Sequence, residues 1–315
     1  MSFNNILIIG GAGFIGTYLS KELSNSGFSV TILDKINQNS ESFIKANIED
    51  QNQLKKIDKS FDLVIHLAAE HQDDVSPVSK YYDVNLKGTE NVLQFCNLNA
   101  INNIIFFSTQ AVYGDYKEKY SEDDTPLPSN DYGKSKFLAE KLLLDWRNED
   151  RRLAIIRPSA VFGYGSIGNF NRLINQIQSR KFIMIGNGKN IKSVCYVKNL
   201  VAYVKHCLKL LETQKLIITN YADKPDIQIK ELVKVIEDAL SLKKSRFKIP
   251  YILAMFVGYV FDLLSLFTSK SINISSLRIK KFCLNSILDS KIIKSTKFIP
   301  PFSFKEAIED TLKKR

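Results

Sequence analysis

The chain has 315 residues, 44% of them hydrophobic and 24% charged, which suits a soluble globular protein with one large domain or two moderate ones. Its net charge of +11 fits an anionic small substrate or an acidic surface; most lysines read as spread over exposed positions, and no nucleic acid partner is expected. Cys96, Cys195, Cys207 and Cys283 are widely spaced with no CxxC pair, so they read as mostly buried free thiols in a reducing compartment, with no metal expected.

The opening stretch, MSFNNILIIGG, lacks a basic start and a small-residue cleavage site, so no secretory signal is expected and the cytoplasm is the expected location. Ile6–Ile9 is an apolar run without polar alternation, as expected of a strand buried on both faces of a parallel sheet. It runs into Gly10, Gly13 and Gly16, a turn that lets the backbone approach a pyrophosphate. Phe14 and Ile15 then open a helix, to about Ser26, whose first amides face the phosphates. Ser29–Leu33 is a second strand ending at Asp34, roughly 20 residues past the glycines, where an acid accepts hydrogen bonds from adenosine ribose hydroxyls. Lys35–Asn47 is polar, with an extended piece at Ser42–Ala46, and Asn47-Ile48 falls where a third strand would end beside an adenine ring.

Phe61–Ala69 is the next strand, finishing in small residues that let a loop lie flat against a cofactor; His66 inside it reads as a core histidine. Tyr82–Asn97 has apolar residues at Val84, Leu86, Val92, Leu93 and Phe95, consistent with a helix presenting an apolar face. Ile104–Phe107 leads to the hydroxyls of Ser108 and Thr109 at the strand end where ligands of open parallel sheets bind. After the loop Tyr116–Asn130 come a long helix, Tyr132–Arg147, and a strand, Leu153–Arg157, stopped by Pro158. Five strand-then-helix units in order predict an α/β fold with a doubly wound parallel sheet.

From Ser159 the rhythm loosens, and a smaller C-terminal domain is expected. Residues 1–158 with 191–220 read as the dinucleotide-binding domain, and 159–190 with 221–315 as the substrate domain. Helices are predicted at Asn171–Arg180, Leu200–Leu211, Ile229–Leu240 and Ser303–Lys314, and Val194–Val197 and Leu216–Thr219 read as strands rejoining the main sheet. Ile249–Phe267 is almost wholly apolar, with Asp262 its only charge, and is flanked by Lys243, Lys244, Arg246, Lys248 and Lys270. It is just long enough to span a bilayer, but Asp262, Gly258 and Pro250 weigh against a span. A helix packed in the substrate domain is the first expectation; a helix resting on an anionic inner membrane face is the second.

The segment Tyr132-Gly133-Lys134-Ser135-Lys136 is Y-x-x-x-K on a helix, which puts Tyr132 and Lys136 one turn apart on one face. A nearby ammonium stabilises a phenolate, so the phenol's pKa should fall and let it exchange a proton with a substrate hydroxyl or carbonyl near neutral pH. Thr109 is placed to hydrogen-bond the same oxygen.

These pieces resemble the extended short-chain dehydrogenase/reductase family, in its NAD-dependent epimerase/dehydratase branch acting on nucleotide sugars. The matching motifs are GGAGFIG (Gly10–Gly16), Asp34, HLAA (His66–Ala69), DVNLKGTENVL (Asp83–Leu93), FFSTQAVYG (Phe106–Gly114), YGKSK (Tyr132–Lys136), RPSAVFG (Arg157–Gly163) and YVKNLV (Tyr196–Val201), in family order. The resemblance implies catalytic Thr109, Tyr132 and Lys136. It implies NAD lined by Gly10, Gly13, Phe14, Ile15, Gly16, Asp34, Asn47, Ile48, Leu67, Ala68, Ala69, Asn85, Ser108, Tyr132, Lys136 and Pro158. It also implies a nucleotide-diphosphate sugar as substrate and a homodimer through the helices around Gly88–Asn97 and Tyr132–Trp146; Thr109, Asn169, Lys192 and Arg278 are the candidate substrate contacts.

Departures from the pattern narrow the activity. The family's 4,6-dehydratases carry an Asp-Glu pair after the threonine, and Gln110 and Ala111 stand there instead, which disfavours dehydration. Ala160 replaces a frequent asparagine after the R-P motif. Lys192-Ser193 replaces an arginine-aspartate pair, keeping a charge for a diphosphate without the bidentate fork. Arg278 is the candidate second phosphate contact, or else part of a solvated basic face with Lys280 and Lys281. The expected reaction is hydride transfer at a sugar carbon, C4, as a 4-epimerase or a 4-ketoreductase. A membrane-associated sterol-type dehydrogenase shares these motifs and suits the apolar stretch; a catalytically silent NAD-binding protein is disfavoured by the intact Thr109, Tyr132 and Lys136.

Overall fold

Seven of the extended runs become strands of one parallel sheet: β1 (Asn5–Ile9), β2 (Ser29–Asp34), β3 (Phe43–Lys45), β4 (Leu63–His66), β5 (Asn103–Phe107), β6 (Arg152–Pro158) and β7 (Leu216–Tyr221). Their order is β7-β6-β5-β4-β1-β2-β3, and every pairing is parallel. The computed structural model describes residues 3–37, 42–72, 75–243, 247–267 and 275–313. Parallel neighbours need crossovers, and helices supply them: α1 (Phe14–Asn25), α2 (Gly88–Leu98), α3 (Asp131–Trp146) and α4 (Val197–Leu211). α1 packs beside α4, and α2 beside α3. Covered on both faces, the central strands can afford no polar alternation: Ile6–Ile9, Leu63–Ile65, Ile104–Phe106 and Leu153–Ile156 are all 0% exposed. Each large aliphatic or aromatic side chain among them contributes roughly 1.5–3 kcal/mol by leaving water, which makes the sheet a rigid platform for whatever its strand ends carry.

The chain divides into two units: Met1–Ser159 with Val197–Ala222 and Leu288–Pro301, and Ala160–Tyr196 with Asp223–Ile287 and Phe302–Arg315. The sheet belongs to the first. Its strand order reverses between β1 and β4, so the crevice at their C-terminal ends is where a ligand of such a sheet binds. The expected helix Tyr82–Asn97 is in fact three pieces, Ser79–Tyr82, a π-turn at Asp83–Lys87, and α2.

The second unit carries short strand pairs, Ala160–Phe162 with Val194–Tyr196, Met184–Ile185 with Lys248–Ile249, and Ile191–Lys192 with Ile227–Gln228. Val194–Tyr196 therefore does not rejoin the main sheet as the sequence suggests; the free edge of β6 is taken by β7, from Leu216 opposite Leu153 to Tyr221 opposite Pro158. Two helices of this unit matter below, α5 (Tyr251–Phe267) and α6 (Ser276–Cys283).

α5 corrects the first expectation for the apolar stretch. Only a narrow stripe turns inward: Ala254 is 5% exposed, and a Cβ on Gly258 would lie 2.8 Å from Ser276 Cα, because α6 crosses there. Ile252 (82%), Phe256 (65%) and Leu263 (58%) face outward. A helix apolar on every side cannot bury all of itself against one neighbour. Among the described residues no helix is long and apolar enough to cross a membrane. Lys244, Arg246 and Lys270 lie outside the described residues. All four cysteines are free, Cys96, Cys195 and Cys207 among the buried residues.

Candidate active site

The glycine turn is built around backbone contact. Gly10 has φ +81°, and a Cβ there would lie 2.5 Å from Ala68 N; one at Gly16 would lie 2.5 Å from Gly11 Cα. No side chain fits at either position, so the exits of β1 and β4 and the start of α1 close on one another. The backbone of Leu67 and Ala68 is tied in by two hydrogen bonds to Ile9 O, at 2.8 and 3.1 Å. α1 begins at Gly13 with no side chain capping it, which leaves its first amides to an anion. Asp34 ends β2 beside this turn, its carboxylate accepting from Ala12 N and Ile36 N, each at 3.0 Å. A fixed negative charge, open helix amides and a turn that admits only glycine suit a dinucleotide: its pyrophosphate at α1 and its ribose at Asp34. Ile48 is buried, and its carbonyl accepts from Asn91 Nδ2 at 2.8 Å, while Asn47 Oδ1 accepts from Glu49 N at 3.2 Å. The Asn91 bond holds the third strand's exit against α2, and the Asn47 bond shapes the turn that follows.

The catalytic candidates are brought together by local geometry at the start of α3. Asn130 caps this helix, accepting from Gly133 N at 2.8 Å. Opposite it, Thr109 caps the short 3-10 turn Gln110–Tyr113, accepting from Ala111 N at 3.2 Å. A Cβ on Gly133 would sit 2.5 Å from Ala111 O, so the bare glycine lets helix and turn touch. That contact brings Tyr132 within hydrogen-bonding reach of Thr109. One turn on, Lys136 is 2% exposed, its ammonium 4.0 Å from the Phe106 ring centroid.

The titration of these groups differs from the sequence expectation. Burial pushes the Tyr132 phenol up to about 12, with the Thr109 hydrogen bond opposing and the nearby Tyr81 phenol adding. Burial likewise lowers Lys136 to about 7, with the Glu140 carboxylate opposing. The shift of Tyr132 runs opposite to the lowering expected from an adjacent ammonium: loss of solvent dominates it, and the same burial lowers the amine.

Asn85 lies in the π-turn and is 0% exposed. Its Oδ1 accepts from Glu70 N at 2.8 Å, and its Nδ2 donates to Glu70 O at 3.0 Å and to Ser135 Oγ at 2.9 Å. One amide thus staples the loop after β4 to α3. His66 is buried, and burial, with Lys136 second, lowers it to about 3, so it is neutral. Thr89 donates to Asn85 O, so His66 Nε2, at 3.1 Å from Thr89 Oγ1, is the donor, and Nδ1 has no hydrogen-bond partner among the described residues.

Two residues escaped the sequence reading. Glu140 and Arg157 form a buried two-pronged ion pair, Nε to Oε1 at 2.9 Å and Nη2 to Oε2 at 2.6 Å. Ser108 also donates to Glu140, while Arg157 Nη1 donates to Tyr113 OH at 2.8 Å. The Ser108 hydroxyl is thereby committed to α3, and Pro158 follows the anchored Arg157 as a buried strand end. Glu140 stands one turn beyond Lys136, so the helical spacing that pairs Tyr132 with Lys136 also points to it.

The remaining substrate candidates lie in the second unit. Lys192 Nζ donates to Lys281 O on α6 at 2.9 Å, which places it beside the helix that carries the partly buried Arg278. Asn169 opens the helix Asn169–Gln178, exposed, its Oδ1 3.5 Å from Arg172 Nη1.

Comparison with known proteins agrees with this geometry. The model of the NAD dependent epimerase/dehydratase family matches residues 6–218. An Escherichia coli O157:H7 protein, N-acetyl-alpha-D-glucosaminyl-diphospho-ditrans,octacis-undecaprenol 4-epimerase, is 42% identical over 316 residues, covering 98% of this chain and 94% of that relative. UDP-glucose 4-epimerase of Lactobacillus helveticus is 29% identical over 68% of this chain and 75% of its own. The UDP-Glc/GlcNAc 4-epimerase structure from Campylobacter jejuni superposes with a TM-score of 0.78 at 20% identity, covering 98% of this chain and 97% of that one, which shows the fold. The chain is an NAD-dependent enzyme and belongs to the NAD dependent epimerase/dehydratase family.

Proposed function

We propose that the protein is a 4-epimerase of an N-acetylhexosamine carried on a diphosphate, and that the diphosphate is linked to a polyprenyl lipid. The observation that carries this reading is the likeness, over nearly the whole of both chains, to the relative named for a diphospho-undecaprenol substrate. Thr109, Tyr132 and Lys136 stand as catalytic residues because they converge at one strand end, and Gln110 and Ala111 offer no acid and base for eliminating water. When bound, NAD would supply the hydride acceptance and return that the reaction needs. Thr109 orients the C4 oxygen. Tyr132, in its phenolate form, takes the hydroxyl proton and, as the phenol, later gives it back to the oxygen of the turned keto sugar. Lys136 lies one turn away to hold the ribose. Gly10, Gly13, Gly16 and α1 take the pyrophosphate, and Asp34 the ribose. Lys192 and Arg278 are the proposed partners of the substrate diphosphate. The reading includes a homodimer through α2 and α3 on the cytoplasmic side, supported by the family resemblance of those helices, with polysaccharide biosynthesis as its setting.

Incubating the purified protein with polyprenyl-diphospho-N-acetylglucosamine and, separately, with UDP-N-acetylglucosamine tests the substrate. The lipid-linked sugar should be converted to its C4 epimer and the nucleotide form much more slowly. Conversion of the nucleotide form alone would overturn the lipid assignment and leave a nucleotide-sugar epimerase.

A further inference from the structure

We infer that α5 is a membrane-docking helix, lying in the plane of an anionic bilayer face with its outer side in the lipid. The inference stands on α5 itself; it deepens the lipid-linked reading of the substrate, and it can be tested without any substrate. Ile252, Leu253, Phe256, Tyr259, Leu263 and Leu264 are each between 46% and 82% exposed, a large apolar face for a monomer to leave in water. Its single charge does not interrupt that face: the Asp262 carboxylate turns inward and accepts from Ser276 N, at 3.2 Å, where α6 begins. Over its 17 described residues the helix is about 26 Å long, short of the roughly 30 Å hydrocarbon core, and lying flat is the geometry that buries its outer face.

Charge selects the lipid surface over another apolar partner. Between Lys243 and Leu288 the sequence holds eight Lys or Arg against one acid, Asp262, so +7 of the chain's +11 is concentrated there. Beside the start of α5, the paired strands Met184–Ile185 and Lys248–Ile249 set exposed Phe247 (80%) and Ile183 (46%) next to exposed Lys248 and Lys181. Aromatic and aliphatic groups rimmed by ammonium groups match the boundary between acyl chains and anionic headgroups. Acidic phospholipid is the occupant this pattern commits to.

Co-sedimentation of the full chain with vesicles of phosphatidylcholine plus phosphatidylglycerol, and of phosphatidylcholine alone, tests the inference at low and high salt. Binding should require the anionic lipid and weaken with salt. Ile252→Glu with Phe256→Glu should remove most of it, and Lys248→Gln should reduce affinity by about fivefold. All of these positions are exposed, so NAD binding and the thermal unfolding midpoint should stay at wild-type values. Should the double variant misfold, Lys248→Gln alone still decides the matter. No binding to anionic vesicles, or binding that neither salt nor Lys248→Gln alters, overturns the inference. So does a wild-type dimer in sedimentation that Phe256→Glu dissociates without any vesicle binding, because the face would then belong to a second copy.

Discussion

A phenol and an amine one helical turn apart do their chemistry through the cost of burying charge. With Tyr132 at about 12 and Lys136 at about 7, both lean toward their neutral forms in the protein without cofactor. Tyr132→Phe removes only the hydroxyl, so NAD affinity should stay close to wild type while turnover falls by about a hundredfold or more. Near wild-type turnover in that variant would contradict the assignment. Lys136 has a stability signature. Between about 7 and 10.5 the unfolded chain holds a proton at this position that the folded chain has lost, so stability rises with pH across that window. Denaturant unfolding of cofactor-free protein at pH 7 and pH 9.5, against Lys136→Met, should show the wild type gaining on the variant; the opposing change from Tyr132 begins only above 10. Asp34, pinned by two backbone amides, should repel a ribose 2′-phosphate, so NAD(H) should bind more tightly than NADP(H) in a parallel titration. The positions proposed for Tyr132, Lys136 and Asp34 were legible in the sequence because fixed spacings mark them. The pKa directions were not, since spacing reports neighbours but not solvent. Glu140 was within reach of the same spacing argument; its partner Arg157 comes from a strand and needed the fold.

At the scale of elements, the site depends on how closely α3 approaches the turn after β5. Gly133→Ala would press a methyl against Ala111 O and push Tyr132 away from Thr109. Overpacking of this kind costs about 1–3 kcal/mol, and turnover should fall far more than NAD affinity, because the glycine turn at Gly10–Gly16 is separate. Kinetics and NAD titration on the folded variant check this; equal losses in both would mean the contact serves the cofactor instead. The strands of the sheet were legible because doubly covered strands are uninterrupted apolar runs. Short strands were not: nothing in Val194–Tyr196 says which edge remains open. The π-turn at Asp83–Lys87 was also invisible, since one extra residue per turn barely disturbs the apolar spacing that marks a helix. α5 was recognised as a helix, but apolarity on every side cannot reveal which side finds a partner.

For the whole molecule, the first unit holds the proposed NAD-cradling and proton-transferring groups, and the second carries the concentration of positive charge together with α5. Such a division suits an enzyme whose chemistry is generic and whose substrate is distinguished by what its diphosphate is attached to. The central claim is that C4 is oxidised and then reduced with its own hydrogen. Polyprenyl-diphospho-N-acetylglucosamine carrying deuterium at C4 puts that claim to direct measurement, with the label followed by mass spectrometry of the released sugar. The account predicts an epimer that keeps its deuterium at C4, with no net change in NAD oxidation state and none of this product from Tyr132→Phe. Loss of the label to solvent, or reduced cofactor accumulating in step with a keto product, would contradict it.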